Sequence, residues 1–318
     1  MFVKKQKDLE RGEYFEISGI SPFSLSDTLE CGQAFRYEPI ERTEKYDEYL
    51  IITGENLFTA RQNADGSLLI FGVSEETLYS DIIPYLSLDV DYAEIKEEIL
   101  SRAHSEKLIL AAEAGGGIRI LRQDSWEALF SFIISQNNNI PRIRKIIRKI
   151  SAEYGKNLAL GLEKCPKDKS VKPCEGVCSK CGICYTFPTA RAVTENPDGL
   201  LPSKPGFRYK YLMDAAEKVN SGEIDLEKIK EQKSAAETVE SLKKIKGVGD
   251  KVASCVALFG FSRLDAFPVD VWIKRANEVY FDGKLDPEGL GKYAGIAQQY
   301  IFHYIRNLEK SLENDNKS

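Results

Sequence analysis

Strand-type segments are confined to the first third of this 318-residue chain, and helical periodicity dominates the remainder. The runs YLIITG, LFTARQ and LLIFGV are rich in β-branched and aromatic residues and lie between turns such as NADG. A glycine-rich segment, AEAGGGIRIL at 112–121, marks the change. Strands followed by helices predict an α+β fold. We expect a sheet domain over 1–117, a helical region over 118–312 and a flexible tail over 313–318.

The composition is typical of a globular protein of the cell interior. Apolar residues make up 42% of the chain, which is enough to bury a core. No apolar run reaches the roughly 18 residues of a transmembrane helix, and MFVKKQKDLERGEYF lacks the apolar segment of a secretory signal. We expect a cytoplasmic protein, associated with the nucleoid if its source is prokaryotic. We also expect it to be a monomer with no membrane partner.

The charges are segregated along the chain. A net charge of −5 argues mildly against a nucleic-acid partner, but an average hides local patches. Residues 72–100 carry eight acidic residues and one basic residue, whereas IPRIRKIIRKI at 140–150 carries five basic residues and no acidic one. In the second segment the isoleucines share one helical face and the bases occupy the other. This basic face is the candidate surface for a polyanion.

A helix, a tight turn and a second helix are predicted around 246-KGVGDK-251. A turn of the form G-x-G, here Gly247 and Gly249, leaves backbone N–H groups facing outward, and such a set of donors binds an anion such as a DNA phosphate. Glycine permits both the turn and the close approach of the backbone. By itself, however, this pattern is equally typical of a plain helical hairpin with glycine caps.

The lysine of that turn and a later aspartate favour the first interpretation. Asp270 follows Pro268 in 268-PVD-270, 19 residues after Lys251, at a position typical of a helix N-cap. The combined pattern LKKIKGVGDKVASC…FPVDVWIKR resembles the helix-hairpin-helix, Gly/Pro-Asp superfamily of DNA repair glycosylases. Capping by the aspartate is compatible with a second role in catalysis.

Five separated segments resemble one branch of that superfamily, the eukaryotic-like 8-oxoguanine DNA glycosylase/AP lyases. They are 31-CGQAFRY-37, 121-LRQDSWEALFSFIISQNNNIPRI-143, 205-PGFRYKY-211, the hairpin through Asp270, and 293-YAGIAQQYIF-302. The resemblance covers almost the whole chain except about 160–184. It implies an N-terminal antiparallel sheet domain, two helical subdomains with the hairpin beside the active-site cleft, and double-stranded DNA containing 8-oxoguanine as the partner.

The resemblance also implies how the damaged base is recognised once it is flipped out of the duplex. The carbonyl of Gly32 would accept the N7–H that distinguishes 8-oxoguanine from guanine. Gln298 would hydrogen-bond the Watson–Crick edge, and Pro268 would line the pocket. Phe302 and Cys255 would sandwich the ring, although the local sequence alone would assign both to core packing.

A second set of residues would contact the DNA around the flipped base. Asn137, Arg142 and Arg208 would hold the unpaired cytosine, because amide and guanidinium donors suit its acceptor edge. Phe207 stands where the family usually has a tyrosine wedge, and it can still insert into the base stack. Trp272 is another departure, because eukaryotic members usually have histidine there. By itself, NNN would be interpreted as a polar turn that ends a helix.

Lys251 would be the nucleophile that attacks C1′ of the sugar. An ordinary lysine, with a pKa of about 10.4, is largely protonated at neutral pH. Burial and a nearby helix N-terminus would both favour the neutral amine. Asp270 would stabilise the positive charge that develops on the sugar. The resulting Schiff base permits β-elimination, so the lysine predicts an AP lyase as well as a glycosylase, with no cofactor required for the chemistry.

Two other functions remain open. A helix-hairpin-helix glycosylase for another damaged base would need a pocket different from that of Gly32, Gln298 and Phe302. A DNA-binding module that uses the hairpin without catalysis would not need Lys251 together with Asp270.

Five cysteines lie in an insert at about 160–186, namely Cys165, Cys174, Cys178, Cys181 and Cys184. In a reducing compartment this density favours metal ligands over disulfides, and thiolates suit a soft metal. A structural zinc ion, an iron–sulfur cluster and a reduced loop without metal all remain open. The C-x3-C-x2-C spacing also matches radical S-adenosylmethionine proteins, but no (β/α) barrel surrounds it. With a metal, the insert would be a structural clip that touches DNA or a partner.

Overall fold

An antiparallel sheet forms the N-terminal part of the protein, for which a computed structural model describes residues 1–9, 11–103, 105–160 and 183–315. Its strands are β1 (Phe2–Asp8), β2 (Gly12–Ser18), β3 (Tyr37–Arg42), β4 (Tyr46–Thr53), β5 (Asn56–Asn63) and β6 (Leu68–Phe71). Their spatial order is β1-β2-β6-β5-β4-β3. The segments YLIITG, LFTARQ and LLIFGV supply β4, β5 and β6, as the sequence predicted.

The inner face of the sheet packs on short helices. Side chains of successive residues alternate between the two faces of a strand, so Tyr49 and Ile51 join the inner core while Leu50 and Ile52 lie on the other face. The inner core is closed by α1 (Leu25–Glu30) and by the segment after β6. That segment consists of α2 (Glu75–Thr77), a π-helical turn (Leu78–Ile82) and α3 (Ile83–Tyr85).

Helices make up most of the remaining described chain. They are α4 (Tyr92–Ser101), α5 (Glu106–Ala114), α6 (Ser125–Ser135), α7 (Ile140–Tyr154), α8 (Ala190–Glu195), α9 (Tyr209–Ser221), α10 (Leu226–Glu231), α11 (Ala235–Leu242), α12 (Asp250–Gly260), α13 (Val271–Tyr280) and α14 (Ala294–Asp315), with 3-10 turns at Pro197–Ser203, Gly206–Arg208 and Gly291–Tyr293. A large apolar core joins these helices, and α6 lies at its centre with nine of its residues buried.

The sheet followed by helices confirms the predicted α+β fold. The last helix continues to Asp315, three residues into the segment 313–318 that was expected to be a flexible tail. The division into a sheet domain over 1–117 and a helical region over 118–312 stays a prediction. Arg36 links the two parts, since its guanidinium donates to the Glu127 carboxylate at 2.8 Å.

The basic face of α7 is smaller than the sequence suggested. Arg144 and Arg148 both form ion pairs with Glu38 of β3, and Arg144 also donates to the Tyr37 carbonyl. These two bases therefore hold α7 against the sheet. Of the five basic residues at 140–150, Arg142, Lys145 and Lys149 are exposed, and Arg142 lies at the amino end of α7.

Candidate active site

A cleft opens where α6, α12 and α14 meet the turn that follows α1. All seven residues predicted for catalysis and base recognition belong to its lining, although they come from four separate parts of the chain. The lining residues are Cys31, Gly32, Phe132, Lys251, Cys255, Phe259, Pro268, Asp270, Gln298, Gln299 and Phe302.

The two glycines of the hairpin between α11 and α12 have different environments. Gly247 has a φ of +80°, and a Cβ built on it would lie 2.4 Å from Cγ of Tyr211. Gly249 has a φ of −100°, which other residues readily adopt, and a Cβ there would meet nothing within 4 Å. The fold itself therefore requires glycine at 247, whereas the surface above Gly249 is open to an external partner.

The amino end of α12 has no side-chain cap. Gly249 is its N-cap residue and offers no hydrogen-bond acceptor from a side chain to the first-turn N–H groups. In contrast, Asn139 caps α7 and Asp270 caps α13 through side-chain oxygens. Uncapped N–H groups at a helix N-terminus attract anions. The hairpin therefore presents N–H groups without a side-chain cap at the edge of the cleft.

Lys251 lies in the first turn of α12 and is half-buried. Its Nζ is 5.7 Å from the centroid of the Phe132 ring. Burial raises the pKa of Cys255 to about 11, and the nearby Lys251 cation lowers it by less. The thiol is therefore neutral at pH 7, and it borders the lysine without forming an ion pair with it.

Asp270 has a structural contact as well as a place in the cleft. It is the N-cap of α13, and its Oδ1 accepts the backbone N–H of Ile273 at 2.9 Å. The residue is half-buried, and Pro268, two positions earlier, is buried. Capping therefore fixes the carboxylate in the cleft that contains Lys251.

The loop after α1 is held by a residue that the sequence analysis did not single out. Gly32 has a φ of +94°, which is costly for any residue with a side chain. The adjacent Gln33 is completely buried, and its Nε2 donates to the carbonyls of Thr28 and Arg119 at 2.8 Å each. Its Oε1 accepts the N–H of Leu121 at 2.8 Å. Gln33 thereby sets the position of Gly32, and its place in the C-G-Q motif was the available signal.

The remaining walls of the cleft are aromatic and amide side chains. Gln298 and Phe302 lie one turn apart on α14 and share a face, as their spacing predicted. Phe132 and Phe259 stack with centroids 5.4 Å apart and an interplanar angle of 15°. The sequence analysis missed these two rings, together with Cys31 and Gln299, because apolar spacing alone does not separate a cleft wall from a core.

The three asparagines between α6 and α7 have different contacts. Asn138 donates from Nδ2 to the carbonyl of Ile134 at 3.0 Å, and Asn139 caps α7 by accepting the N–H of Arg142 at 3.0 Å. Asn138 thus fits the interpretation of NNN as a turn that ends a helix, whereas Asn139 begins the next helix. Asn137 has a φ of +47° and an exposed side chain. The turn therefore presents one amide to solvent.

The buried side chain of Arg208 stabilises that turn by hydrogen bonds to its backbone carbonyls. Only 2% of this residue is exposed, and its guanidinium donates to the carbonyls of Gln136, Asn137 and Pro205. Phe207 is 49% exposed and contacts Tyr211 edge to face, with centroids 6.1 Å apart. In the protein without DNA, Arg208 is thus engaged by backbone carbonyls, while Asn137, Arg142 and Phe207 are accessible.

Comparison with known proteins identifies the family. Residues 17–129 match the family model described as 8-oxoguanine DNA glycosylase, N-terminal domain. The fold is similar to a crystal structure of the 8-oxoguanine glycosylase/lyase of Clostridium acetobutylicum in complex with double-stranded DNA containing cytosine opposite 8-oxoguanine. The two are 34% identical, with a TM-score of 0.80, over 97% of this chain and 99% of that one. The chain belongs to the 8-oxoguanine DNA glycosylase family.

Curated relatives agree with this family assignment. The N-glycosylase/DNA lyase of Saccharomyces cerevisiae is 27% identical over 80% of this chain and 67% of that protein. The N-glycosylase/DNA lyase OGG1 of Arabidopsis thaliana is 27% identical over 91% of this chain and 79% of that protein. The resemblance seen in the five sequence segments is therefore confirmed. All the described residues that line the cleft of this glycosylase-family chain lie within those five segments.

Part of the cysteine insert of this family member can be described. Cys165, Cys174, Cys178 and Cys181 lie outside the described residues, whereas Cys184 is buried on the outer face of the sheet beside Leu50 and Ile52. Among the described residues, no three His, Cys, Asp or Glu side chains are grouped so as to hold a metal ion.

No helix in the part of the chain that the structure describes is long and apolar enough to span a bilayer.

Proposed function

We propose that this chain is a bifunctional DNA glycosylase and AP lyase of base-excision repair that removes 8-oxoguanine opposite cytosine. The main support is the cleft that contains Gly32, Lys251, Asp270, Gln298 and Phe302, at the edge of an uncapped hairpin, in a member of this family. The Clostridium relative carries the same lesion and opposite base in its bound DNA. Like it, this chain would act on double-stranded DNA, and we propose that it does so as a cytoplasmic monomer.

The base would be recognised after it leaves the helix. The Gly32 carbonyl would accept the N7–H of 8-oxoguanine and repel the bare N7 lone pair of guanine. Phe302 and Cys255 would lie on the two faces of the ring, and Pro268 would close the side of the pocket. Because burial keeps the Cys255 thiol neutral, an apolar wall of this kind suits a flat aromatic ring.

The chemistry would start from the amine of Lys251. The amine attacks C1′, a bond forms between Nζ and C1′, and the bond to the base breaks as the base leaves with a proton. Asp270, fixed by its contact with Ile273, would stabilise the positive charge on the sugar. The sugar ring then opens: the C1′–O4′ bond breaks, O4′ takes up a proton, and the nitrogen forms a double bond to C1′. This Schiff base makes the C2′ proton acidic, and removal of that proton expels the 3′ phosphate by β-elimination. No cofactor is needed for these steps.

The DNA backbone and the orphan base would be held by residues around the cleft. The hairpin N–H groups near Gly247 and Gly249 would bind a phosphate. Asn137 and Arg142 are exposed and would donate to the orphan cytosine, with Arg208 completing this set, and Phe207 would fill the gap left in the stack.

A panel of duplexes tests this function. Each duplex carries 8-oxoguanine, an alkylated purine, an oxidised pyrimidine or an undamaged guanine, and released bases are measured by mass spectrometry. We expect excision of 8-oxoguanine opposite cytosine and cleavage of the strand. Preferential release of another lesion would favour a glycosylase of different specificity, and binding without release would favour a non-catalytic DNA-binding module.

We also propose that the cysteine insert is a metal-bound structural clip. Cys165, Cys174, Cys178, Cys181 and Cys184 have the density and softness for zinc or an iron–sulfur cluster. The position of Cys184 against the sheet would let the clip stabilise the outer face of the N-terminal part. Metal analysis of the purified protein tests this, and less than about 0.2 equivalents of zinc and iron would contradict it.

A further inference from the structure

The cleft wall contains a second amide that has no role in the function proposed above. Gln299 follows Gln298 on α14, and the two residues are only 5% and 3% exposed. Both line the cleft that contains Lys251 and Asp270. Adjacent residues on a helix normally point in different directions, so two buried glutamines in one wall are an unusual arrangement.

The two amides are hydrogen-bonded to each other. Nε2 of Gln299 donates to Oε1 of Gln298 at 2.6 Å. At its other end, Oε1 of Gln299 is buried and has no hydrogen-bond partner among the described residues. A buried acceptor without a donor costs free energy, and most such acceptors in folded proteins are paired. The Gln298–Gln299 pair therefore leaves one buried acceptor unsatisfied.

We propose that Gln299 is a positioning residue that fixes which end of the Gln298 amide faces the base. An amide turned by 180° exchanges its carbonyl oxygen for its NH2 group. Because Gln299 holds the oxygen of Gln298, the NH2 group of Gln298 is turned toward the cleft. This donor matches a purine with a carbonyl oxygen at C6, as in guanine-type lesions, and it opposes an adenine-type base, which has an amino group there. The inference rests on the proposed base-excision function.

The unpaired oxygen of Gln299 would also favour a guanine-type base over an adenine-type base. A 6-oxopurine carries an N–H at N1, next to its C6 oxygen, whereas a 6-aminopurine has a bare acceptor at N1. The Gln298–Gln299 pair therefore offers one donor and one acceptor in the order that a guanine-type edge requires. The burial of both residues excludes water, which would otherwise weaken the discrimination.

Two variants of Gln299 test this proposal. Gln299→Met keeps the length of the side chain and removes the hydrogen bond to Gln298. Gln299→Glu offers acceptors only, so the NH2 group of Gln298 must turn toward it and the Gln298 carbonyl must face the base. Single-turnover excision is measured for 8-oxoguanine and for 8-oxoadenine, each opposite cytosine. Strand cleavage at a preformed abasic site, which contains no base to recognise, is measured in parallel.

The wild-type enzyme should excise 8-oxoguanine faster than 8-oxoadenine. We expect Gln299→Met to reduce this preference about tenfold, the effect of one hydrogen bond, and Gln299→Glu to reduce it further. In both variants, cleavage of the abasic site should fall by less than excision of 8-oxoguanine. An unchanged preference in both variants, or a loss of abasic-site cleavage equal to the loss of excision, would overturn the positioning role. Failure of the wild-type enzyme to excise 8-oxoguanine would instead overturn the proposed function.

Discussion

The Tyr211 ring occupies the space that a side chain at position 247 would need: a Cβ on Gly247 would lie 2.4 Å from Cγ of Tyr211. Gly249, two residues later, has no such neighbour within 4 Å. Tyr211 belongs to α9, directly after the turn that carries Phe207 and Arg208. The hairpin and the start of α9 are therefore packed against each other through Gly247.

Alanine substitutions at these two glycines should affect different properties: stability at position 247 and DNA binding at position 249. Gly247→Ala combines a positive φ with a clash, and we expect it to lower the free energy of unfolding by about 2–4 kcal/mol. Gly249→Ala meets open space, so the change should stay within about 1 kcal/mol. Because its methyl group covers the hairpin N–H groups, Gly249→Ala should nevertheless weaken binding to duplex DNA. Thermal unfolding and fluorescence anisotropy measure the two quantities. Equal stability losses in both variants would refute the distinction.

Arg208 is expected to be a structural as well as a DNA-facing residue. Arg208→Ala would leave the carbonyls of Gln136, Asn137 and Pro205 without their donor, and we expect a loss of about 2–4 kcal/mol in the free energy of unfolding. Arg142→Ala is the matched control, because Arg142 is exposed and its loss should change stability by less than about 0.5 kcal/mol. Both variants should lose preference for cytosine opposite the lesion. Normal stability of Arg208→Ala in chemical denaturation would argue against the role of Arg208 in the Asn137 turn.

The two cysteines of the cleft should resist alkylation in the folded protein. Burial raises the pKa of Cys31 to about 12 and that of Cys255 to about 11. Unfolded thiols ionise near pH 8.5, so their thiolate fraction at pH 8 is at least about a hundredfold higher than in the fold. Iodoacetamide at pH 8, followed by peptide mass spectrometry, should label both residues only after unfolding. Rapid labelling of Cys255 in native protein would show that the thiol is ionised or open to solvent.

The same pKa values determine how stability changes with pH. The folded pKa values exceed the unfolded ones, so the unfolded state releases these protons first as the pH rises. The contribution of the two thiols to the free energy of unfolding is complete below about pH 8.5. It falls progressively above that pH, until the folded pKa values of about 11 and 12 are reached. Denaturant titrations from pH 7 to 10.5 should therefore show a declining stability.

The sequence was most informative where local pattern and motif agreed. Helix boundaries around α7 and α12, the capping role of Asp270 and the three apolar strands β4, β5 and β6 all follow from short-range periodicity and capping. Strand β1 was harder to predict from the sequence. It is an edge strand, FVKKQKD, and its exposed lysines, which protect such an edge from aggregation, interrupt the apolar alternation typical of a strand. β1 and β2 pair with each other as a hairpin, but β2 joins the rest of the sheet through β6, a partner distant in sequence that periodicity does not report.

Features of the site that depend on contacts across the fold could not be predicted. The sequence assigned Arg144 and Arg148 to a basic surface, but both form ion pairs with Glu38, more than 100 residues earlier. Gln33 and Gln299 are polar residues whose burial is decided by tertiary packing. The predicted roles of Asn137, Gln298, Phe302 and the other site residues stay predictions, and the geometry of the cleft supports them.

Borohydride trapping with peptide mapping tests the central claim most directly. Wild-type protein is incubated with a duplex that carries 8-oxoguanine opposite cytosine, in the presence of sodium borohydride, and the cross-linked residue is located by mass spectrometry. Lys251→Gln removes the proposed nucleophile, and Lys246→Gln, an exposed lysine of the same hairpin, is the matched control. We predict an adduct at Lys251 in the wild type and in Lys246→Gln, and none in Lys251→Gln. An adduct of equal yield in Lys251→Gln, or its absence from the wild type, would contradict the account.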